Sequence, residues 1–132
     1  MQLQPFSLLT PDQLASVIRL YRDTFEAPWE WPWRDVAALA RPRPAGRRSW
    51  AHVLLLDGEV AGFAIADHLS RSNLWYLHYF AISPALRSQG LGSWVLRQVV
   101  EAGEAAALRR SPQRAGFRQQ RKTLQLVNLH GA

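Results

Sequence analysis

Apolar residues change their spacing several times along this chain, and each change marks an element. Between Pro11 and Phe25 the apolar positions are Leu14, Val17, Ile18, Tyr21 and Phe25. Steps of three and four place them on one side of an α-helix. The helix also carries a start signal. Thr10-Pro11-Asp12-Gln13 offers a capping threonine, proline at the first helical position, and glutamine three residues after the cap. Ahead of it, Leu3 to Leu9 reads as a short strand.

From Trp50 the spacing falls to that of strands. Trp50 to Leu56, Glu59 to Asp67 and Leu74 to Ile82 have high β-propensity. Asp57-Gly58 is a hairpin turn, and Ser70 to Asn73 is a second turn. Three strands joined this way form an antiparallel meander. Strict alternation puts Val60, Gly62, Ala64 and Ala66 on one face, with Ala61, Phe63 and Ile65 on the other. In the third strand it puts Tyr76, His78, Phe80 and Ile82 opposite Trp75, Leu77, Tyr79 and Ala81.

Ser83-Pro84 stops that strand, and the loop Ala85 to Gly90 follows. Helical spacing returns from about Gly92 to Ala107, with Leu91, Val95, Leu96, Val99 and Val100 as the apolar stripe. Arg97 and Glu101 sit four apart on its wet face. Leu108 to Lys122 is basic and polar, and Thr123 to Leu129 reads as a last strand. Earlier in the chain, Ala27 to Trp33 holds two prolines and three tryptophans, so it is no regular helix. It reads either as a loop anchored to the core by its rings or as a lid that floors a substrate pocket. A short helix is expected from Arg34 to Ala40, and Pro42 to Arg48 is a basic, proline-rich connection.

Composition narrows the classes. With 132 residues, 48% hydrophobic and 20% charged, the chain fits one globular domain spanning 1–132. There is no cysteine, which excludes disulfides and thiolate metal sites. His52, His68, His78 and His130 show no local ligand pattern, so no metal is expected. No run of 18 or more apolar residues points to a membrane span, and the N-terminus has no signal-peptide pattern, so a cytoplasmic home is expected. The net charge is +6, with a pI of about 11.0. That fits a nucleotide, a nucleic acid or a phosphorylated cofactor as partner. The arginine and alanine bias of a GC-rich genome gives the same charge with no ligand. Nucleic acid is the least favoured partner, because no recognised nucleic-acid motif is present.

The loop Arg87-Ser88-Gln89-Gly90-Leu91-Gly92-Ser93 carries the chemistry. Glycines permit unusual backbone angles and a close ligand approach. A helix start leaves N–H groups without intrahelical partners and adds partial positive charge. The pair Gly90 and Gly92 at such a start is suited to a pyrophosphate, and Arg87 adds a charge. It is not a Walker loop, and Val95 stands where a dinucleotide fingerprint needs its third glycine.

Hairpin, strand, proline stop, R-S-Q-G-L-G-S and amphipathic helix together resemble the GNAT superfamily of acetyl-CoA-dependent N-acetyltransferases. The family signature [Q/R]-x-x-G-x-[G/A] is matched by Arg87, Gly90 and Gly92. The resemblance implies a mixed α/β fold with a largely antiparallel central sheet flanked by helices. It implies acetyl-CoA as co-substrate, with the pyrophosphate on Ser88 to Ser93 and the pantetheine arm along Phe80, Ala81 and Ile82. The Ile82 amide would polarise the thioester carbonyl. The stretch YLHYFAISPALRSQGLG looks like the arylalkylamine branch, where two histidines on this strand help deprotonate the amine. His78 falls on the inner position and Tyr76 takes the place of the other. The simpler reading of His78 is a hydrogen-bonded structural histidine.

The resemblance weakens after the second long helix. Ala115-Gly116-Phe117-Arg118 looks like the ending of the family's later helix, but it arrives early, and no tyrosine follows Tyr79. The C-terminal part is expected to be abbreviated. The groove would then be completed by Thr123 to Leu129 or by a partner chain through an exposed sheet edge, so a homodimer is expected. The expected activity is acetyl transfer to an amine of a small molecule or protein. The alternative is an acyl-CoA-binding or dimeric interaction module with weak or no turnover.

Overall fold

Thr10 caps the first helix as the sequence predicts. In the computed structural model, which describes residues 1–41, 49–69, 74–110 and 124–126, its hydroxyl accepts the Gln13 N–H at 3.1 Å. The Gln13 side chain accepts the Thr10 N–H in return at 3.0 Å. Two donors that a helix start would otherwise leave open are thereby satisfied. Helix α1 runs Pro11–Thr24 and buries Val17, Tyr21 and, just past its end, Phe25.

The sheet has five strands in the order β1-β2-β3-β4-β5. They are β1 Gln2–Pro5, β2 Ser49–Leu56, β3 Glu59–Leu69, β4 Leu74–Ile82 and β5 Leu124–Leu126. The first four are antiparallel neighbours, and β5 lies parallel to β4. The expected first strand ends early, at Pro5, where the ring removes the N–H that pairing needs. A 3₁₀ turn, Phe6–Leu8, then drops Phe6 into the core. The Asp57-Gly58 hairpin forms with φ of 51° and 81°, the pair of left-handed residues that this tight turn uses. The expected turn at Ser70 to Asn73, the connection Pro42 to Arg48 and the Gly116-Phe117 pair lie outside the described residues.

Helices cover both faces of the sheet. α1 and the short α2, Trp33–Ala37, pack on one side over Val53, Leu55, Phe63, Ile65, Tyr79 and Ala81. The long α3, Leu91–Arg110, packs on the other over Leu54, Ala64, Leu77, Phe80 and Ile82. Ala61, Ala64 and Ala66 line that second face, so α3 meets it along a narrow band. Val95 and Val99 are fully buried there, whereas Val100, expected in the stripe, is 40% exposed. The Trp75 indole N–H donates to the Val99 carbonyl at 2.8 Å and pins the helix to β4.

Two bulges break the alternation expected from sequence. The β2–β3 register slips between Leu54 and Leu55, which makes Ala61 the extra residue. Val60 therefore packs with the α1 face and Ala61 with the α3 face, the reverse of strict alternation. The β3–β4 register slips between Ile65 and Ala66, which makes His78 the extra residue. Tyr79 and Ala81 then share the α1 face, and Phe80 and Ile82 join Trp75 and Leu77 on the α3 face. The expected grouping of Tyr76 and His78 with Phe80 and Ile82 is corrected accordingly.

His52 gives the fold a pH dependence. Its ring stacks on Trp50 with centroids 4.1 Å apart, and its buried Nδ1 has no hydrogen-bond partner among the described residues. Burial lowers its pKa from 6.5 to about 4. The unfolded chain thus binds this proton more readily than the folded one. The stabilisation is fully present above pH 6.5 and is lost as pH falls toward 4. We expect the thermal midpoint to drop across that window, and the drop to be smaller in His52→Leu, measured by circular dichroism melts from pH 7 to 4.

Candidate active site

The edge of β4 sets the geometry. The Ser83 N–H donates to the Ala61 carbonyl at 2.7 Å, so the pair at this register is a hydrogen-bonded one. Counting back by twos, Ala81 faces Phe63 and Tyr79 faces Ile65 through their main-chain groups. Those of Phe80 and Ile82 point the other way, away from β3. On that side β5 pairs with Trp75, Tyr76 and Leu77 alone. Among the described residues no strand covers the edge from His78 to Ile82. The last strand expected from Thr123 to Leu129 is present at Leu124–Leu126, beside β4.

The open edge leads into the glycine loop. A 3₁₀ turn at Pro84–Leu86 follows β4, and then Ser88 and Gly90 take φ of 67° and 79°. Glycine adopts that angle freely. For Ser88 it costs about 1 kcal/mol or more, a strain of the kind found in ligand loops. The first amide of α3 that bonds back is that of Trp94, to the Gly90 carbonyl at 3.1 Å. The N–H groups of Leu91, Gly92 and Ser93 come before it and have no intrahelical acceptor. Arg87, Ser88, Gln89, Gly90 and Ser93 are exposed, and Gly92 is buried under the turn. Arg87 also holds the strand end, because its Nε–H donates to the Ile82 carbonyl at 3.0 Å. Left-handed residues beside helix-start amides without intrahelical acceptors are the geometry of an anion-binding nest.

A second group of side chains stands on the α1 face. The Tyr21 hydroxyl donates to the Trp31 carbonyl at 2.6 Å, and the Trp31 N–H donates to the Tyr79 hydroxyl at 3.0 Å. The Tyr79 hydroxyl in turn donates to Glu30 Oε2 at 2.7 Å. The two tyrosines thus hold Trp31 of the tryptophan-rich loop by its N–H and its carbonyl. Burial raises the pKa of each hydroxyl, that of Tyr79 far above the usual phenol range. Both therefore stay protonated at neutral pH and act as scaffold. Of the two readings of this loop, anchoring holds for Trp31, while Trp29 stays 80% exposed. Trp31 also helps to line a cavity of about 290 Å³ with Tyr21, Phe25, Glu26, Glu30 and Trp33.

His78 lies against this loop, its ring 4.8 Å from that of Trp31 and 4.7 Å from that of Tyr76. Its Nε2 is 2.8 Å from Asp67 Oδ2 on the neighbouring strand. Asp67 Oδ1 accepts the hydroxyl of Ser49. The fold thus brings Tyr76 and His78 together, and places Phe80, Ile82 and the Arg87–Ser93 loop around one edge. Ala81 is turned into the β3 ladder. The sequence reading singled out the segment that holds Trp31 but missed Asp67 and Ser49, because only the strand register makes them neighbours of His78. Among the described residues no cluster of three or more histidine, cysteine, aspartate or glutamate side chains is arranged to hold a metal, and no helix is long and apolar enough to cross a membrane.

Comparison with known proteins gives three kinds of result. The model of the acetyltransferase (GNAT) family matches residues 14–113. No curated protein matches the chain. Among solved structures, an aminoglycoside 6'-N-acetyltransferase complexed with coenzyme A is similar at a TM-score of 0.61 and 17% identity, covering 84% of this chain and 57% of its own. An acyl-CoA N-acyltransferase from Pseudomonas aeruginosa gives 0.57 and 18%, covering 79% and 69%. The ribosomal-protein-S18-alanine N-acetyltransferase from Escherichia coli gives 0.56 and 18%, covering 79% and 59%. The chain therefore spans between 57% and 69% of the length of these three. The fold is theirs.

The tyrosine clamp can be tested alone. Tyr79→Phe leaves the Trp31 N–H and the Glu30 carboxylate without their shared partner. We expect a loss of about 1–3 kcal/mol in urea unfolding, with tryptophan emission shifted toward that of exposed rings. An unchanged midpoint would mean that this hydroxyl does not hold the loop.

Proposed function

The chain belongs to the acetyltransferase (GNAT) family, and from that premise we propose that it transfers an acetyl group from acetyl-CoA to an amine of a small molecule or protein by direct attack. The observation that carries this reading is the continuity of the β4 edge from His78 to Ile82, which no strand among the described residues covers, with the nest at Ser88–Ser93. The coenzyme A held by the aminoglycoside 6'-N-acetyltransferase of the same fold supports the choice of donor. When bound, acetyl-CoA supplies the acyl group as a reactive thioester.

In this reading the amides of Leu91, Gly92 and Ser93 hold the pyrophosphate, and the dipole of α3 favours its charge. Ser88, Gln89 and Gly90 shape the turn that presents them, and Arg87 adds a cation. Phe80 and Ile82 offer their outward main-chain groups to the pantetheine amides, as a further strand would. The Ile82 N–H donates to the acyl oxygen, where negative charge grows during attack. Arg87 fixes the Ile82 carbonyl and with it the plane of that strand end. Ala81 contributes spacing, because its own groups serve β3.

His78 takes the proton that a protonated amine must lose before it can attack. Tyr76 and Trp31 flank it and shape the acceptor side. The charge of +6 suits an anionic donor. The reaction belongs in the cytoplasm, where acetyl-CoA is available. A homodimer is not required to close the groove, since β5 already pairs with the start of β4.

Calorimetry with coenzyme A and transfer assays with a panel of amines test the proposal. Gly90→Val puts a branched side chain at a φ of 79°. It should weaken coenzyme A binding about tenfold or more. His78→Gln should leave that affinity intact and lower kcat by about 10²–10⁴. Coenzyme A binding with no turnover on any amine would select a non-catalytic module instead.

A further inference from the structure

We infer that Asp67 is the positioning residue of this site: its carboxylate receives the Nε2–H of His78 and so leaves the Nδ1 lone pair to take the proton of the incoming amine. The inference rests on the reading of His78 as the base, and adds to it which nitrogen works and what holds it.

His78 stands two residues beyond Tyr76, on the α1 face, and Asp67 of β3, the register partner of Tyr76, shares that face. Oδ2 of Asp67 is 2.8 Å from His78 Nε2. Its other oxygen accepts the Ser49 hydroxyl from β2, so the carboxylate is held from a second strand. A neutral imidazole carries one N–H and one lone pair, and an ionised carboxylate only accepts. The close contact therefore requires the proton on Nε2. Nδ1 is then the acceptor, and it makes no hydrogen bond among the described residues.

Around the ring on this face stand Tyr76 and Tyr79 of β4, Asp67 of β3 and, behind the Tyr79 hydroxyl, Glu30 of the loop. Of these, Asp67 is the one that bonds the imidazole. The step balances simply. One ammonium N–H bond breaks, its electron pair stays on the amine nitrogen, and an N–H bond forms at Nδ1. The imidazolium so formed is stabilised by the charge of Asp67. Ser49 steadies the carboxylate and takes no part in the transfer.

The tautomer of His78 can be read directly by long-range ¹⁵N–¹H NMR of the full chain. The wild-type protein should show Nε2–H as the neutral form. Nδ1–H in its place would overturn the inference whether or not any variant folds. In Asp67→Asn that preference should be lost. With an amine from the panel that the wild type acetylates, kcat should fall about 10²-fold, with coenzyme A affinity unchanged. General structural damage would lower the rate without changing the tautomer of His78. If His78→Gln is impaired while Asp67→Asn keeps wild-type tautomer and rate, Asp67 has no such role and His78 remains the base. If His78→Gln is fully active, the reading of His78 fails and this inference fails with it.

Discussion

One extra residue in β4 decides what this molecule can do. Side chains alternate along a strand with a period of two, so a single inserted residue reverses every side chain beyond it. Here the inserted residue is His78. Before it, Trp75 and Leu77 face α3; after it, Phe80 and Ile82 do. His78 and Tyr79 are consecutive, yet both rings meet Trp31. Without the slip, Tyr79 would face α3. The clamp on the tryptophan loop would then lose its anchor. Among the described residues, the slip also falls just beyond Leu77, the last residue of β4 paired with β5.

The outer edge and the α1 face present different kinds of group. On the outer edge they are main-chain ones: Phe80, Ile82 and the first amides of α3. On the α1 face they are side chains: His78, Asp67, Tyr76 and Trp31. Main-chain donors are positioned by register and helix start and need little from residue identity. The fold is accordingly shared with proteins only 17–18% identical in sequence. The side-chain group depends on particular residues in particular strands.

Much of the edge was legible in the sequence. The capping box at Thr10, the Asp57-Gly58 turn, the proline stop at Pro84 and the Gly90–Gly92 loop each have a local physical cause, and each formed. Local causes are what a single sequence displays. The bulges at Ala61 and His78 have no such mark. Both fall inside runs of apolar, β-prone residues, where one register reads as well as its neighbour. They are decided by packing: Phe63 and Ile65 suit the aromatic α1 face, and alanines suit the close approach of α3. The partners of His78 were hidden for the same reason. Asp67 is eleven residues away in sequence, and its place follows from a register that cannot be read until the slip is known. The two tyrosine hydroxyls that hold Trp31 were likewise invisible, since a buried tyrosine and a functional one look alike in sequence.

The clamp also bears on how the acceptor side stays ordered. The loop from Ala27 to Trp33 carries prolines that deny it helical hydrogen bonds, so its peptides need partners elsewhere. Tyr21 and Tyr79 supply them at Trp31 alone, and their rings meet edge to face at 5.0 Å. A hydroxyl that both accepts from a backbone N–H and donates to Glu30 must keep its proton, and burial ensures that it does. Tyr21 and Tyr79 are therefore poor proton carriers at neutral pH. Within the loop the Glu30 N–H keeps a turn bond to the Ala27 carbonyl at 3.0 Å, and the tyrosines supply the partners at Trp31, so the prolines that break the helix also explain why two buried hydroxyls are committed to this loop.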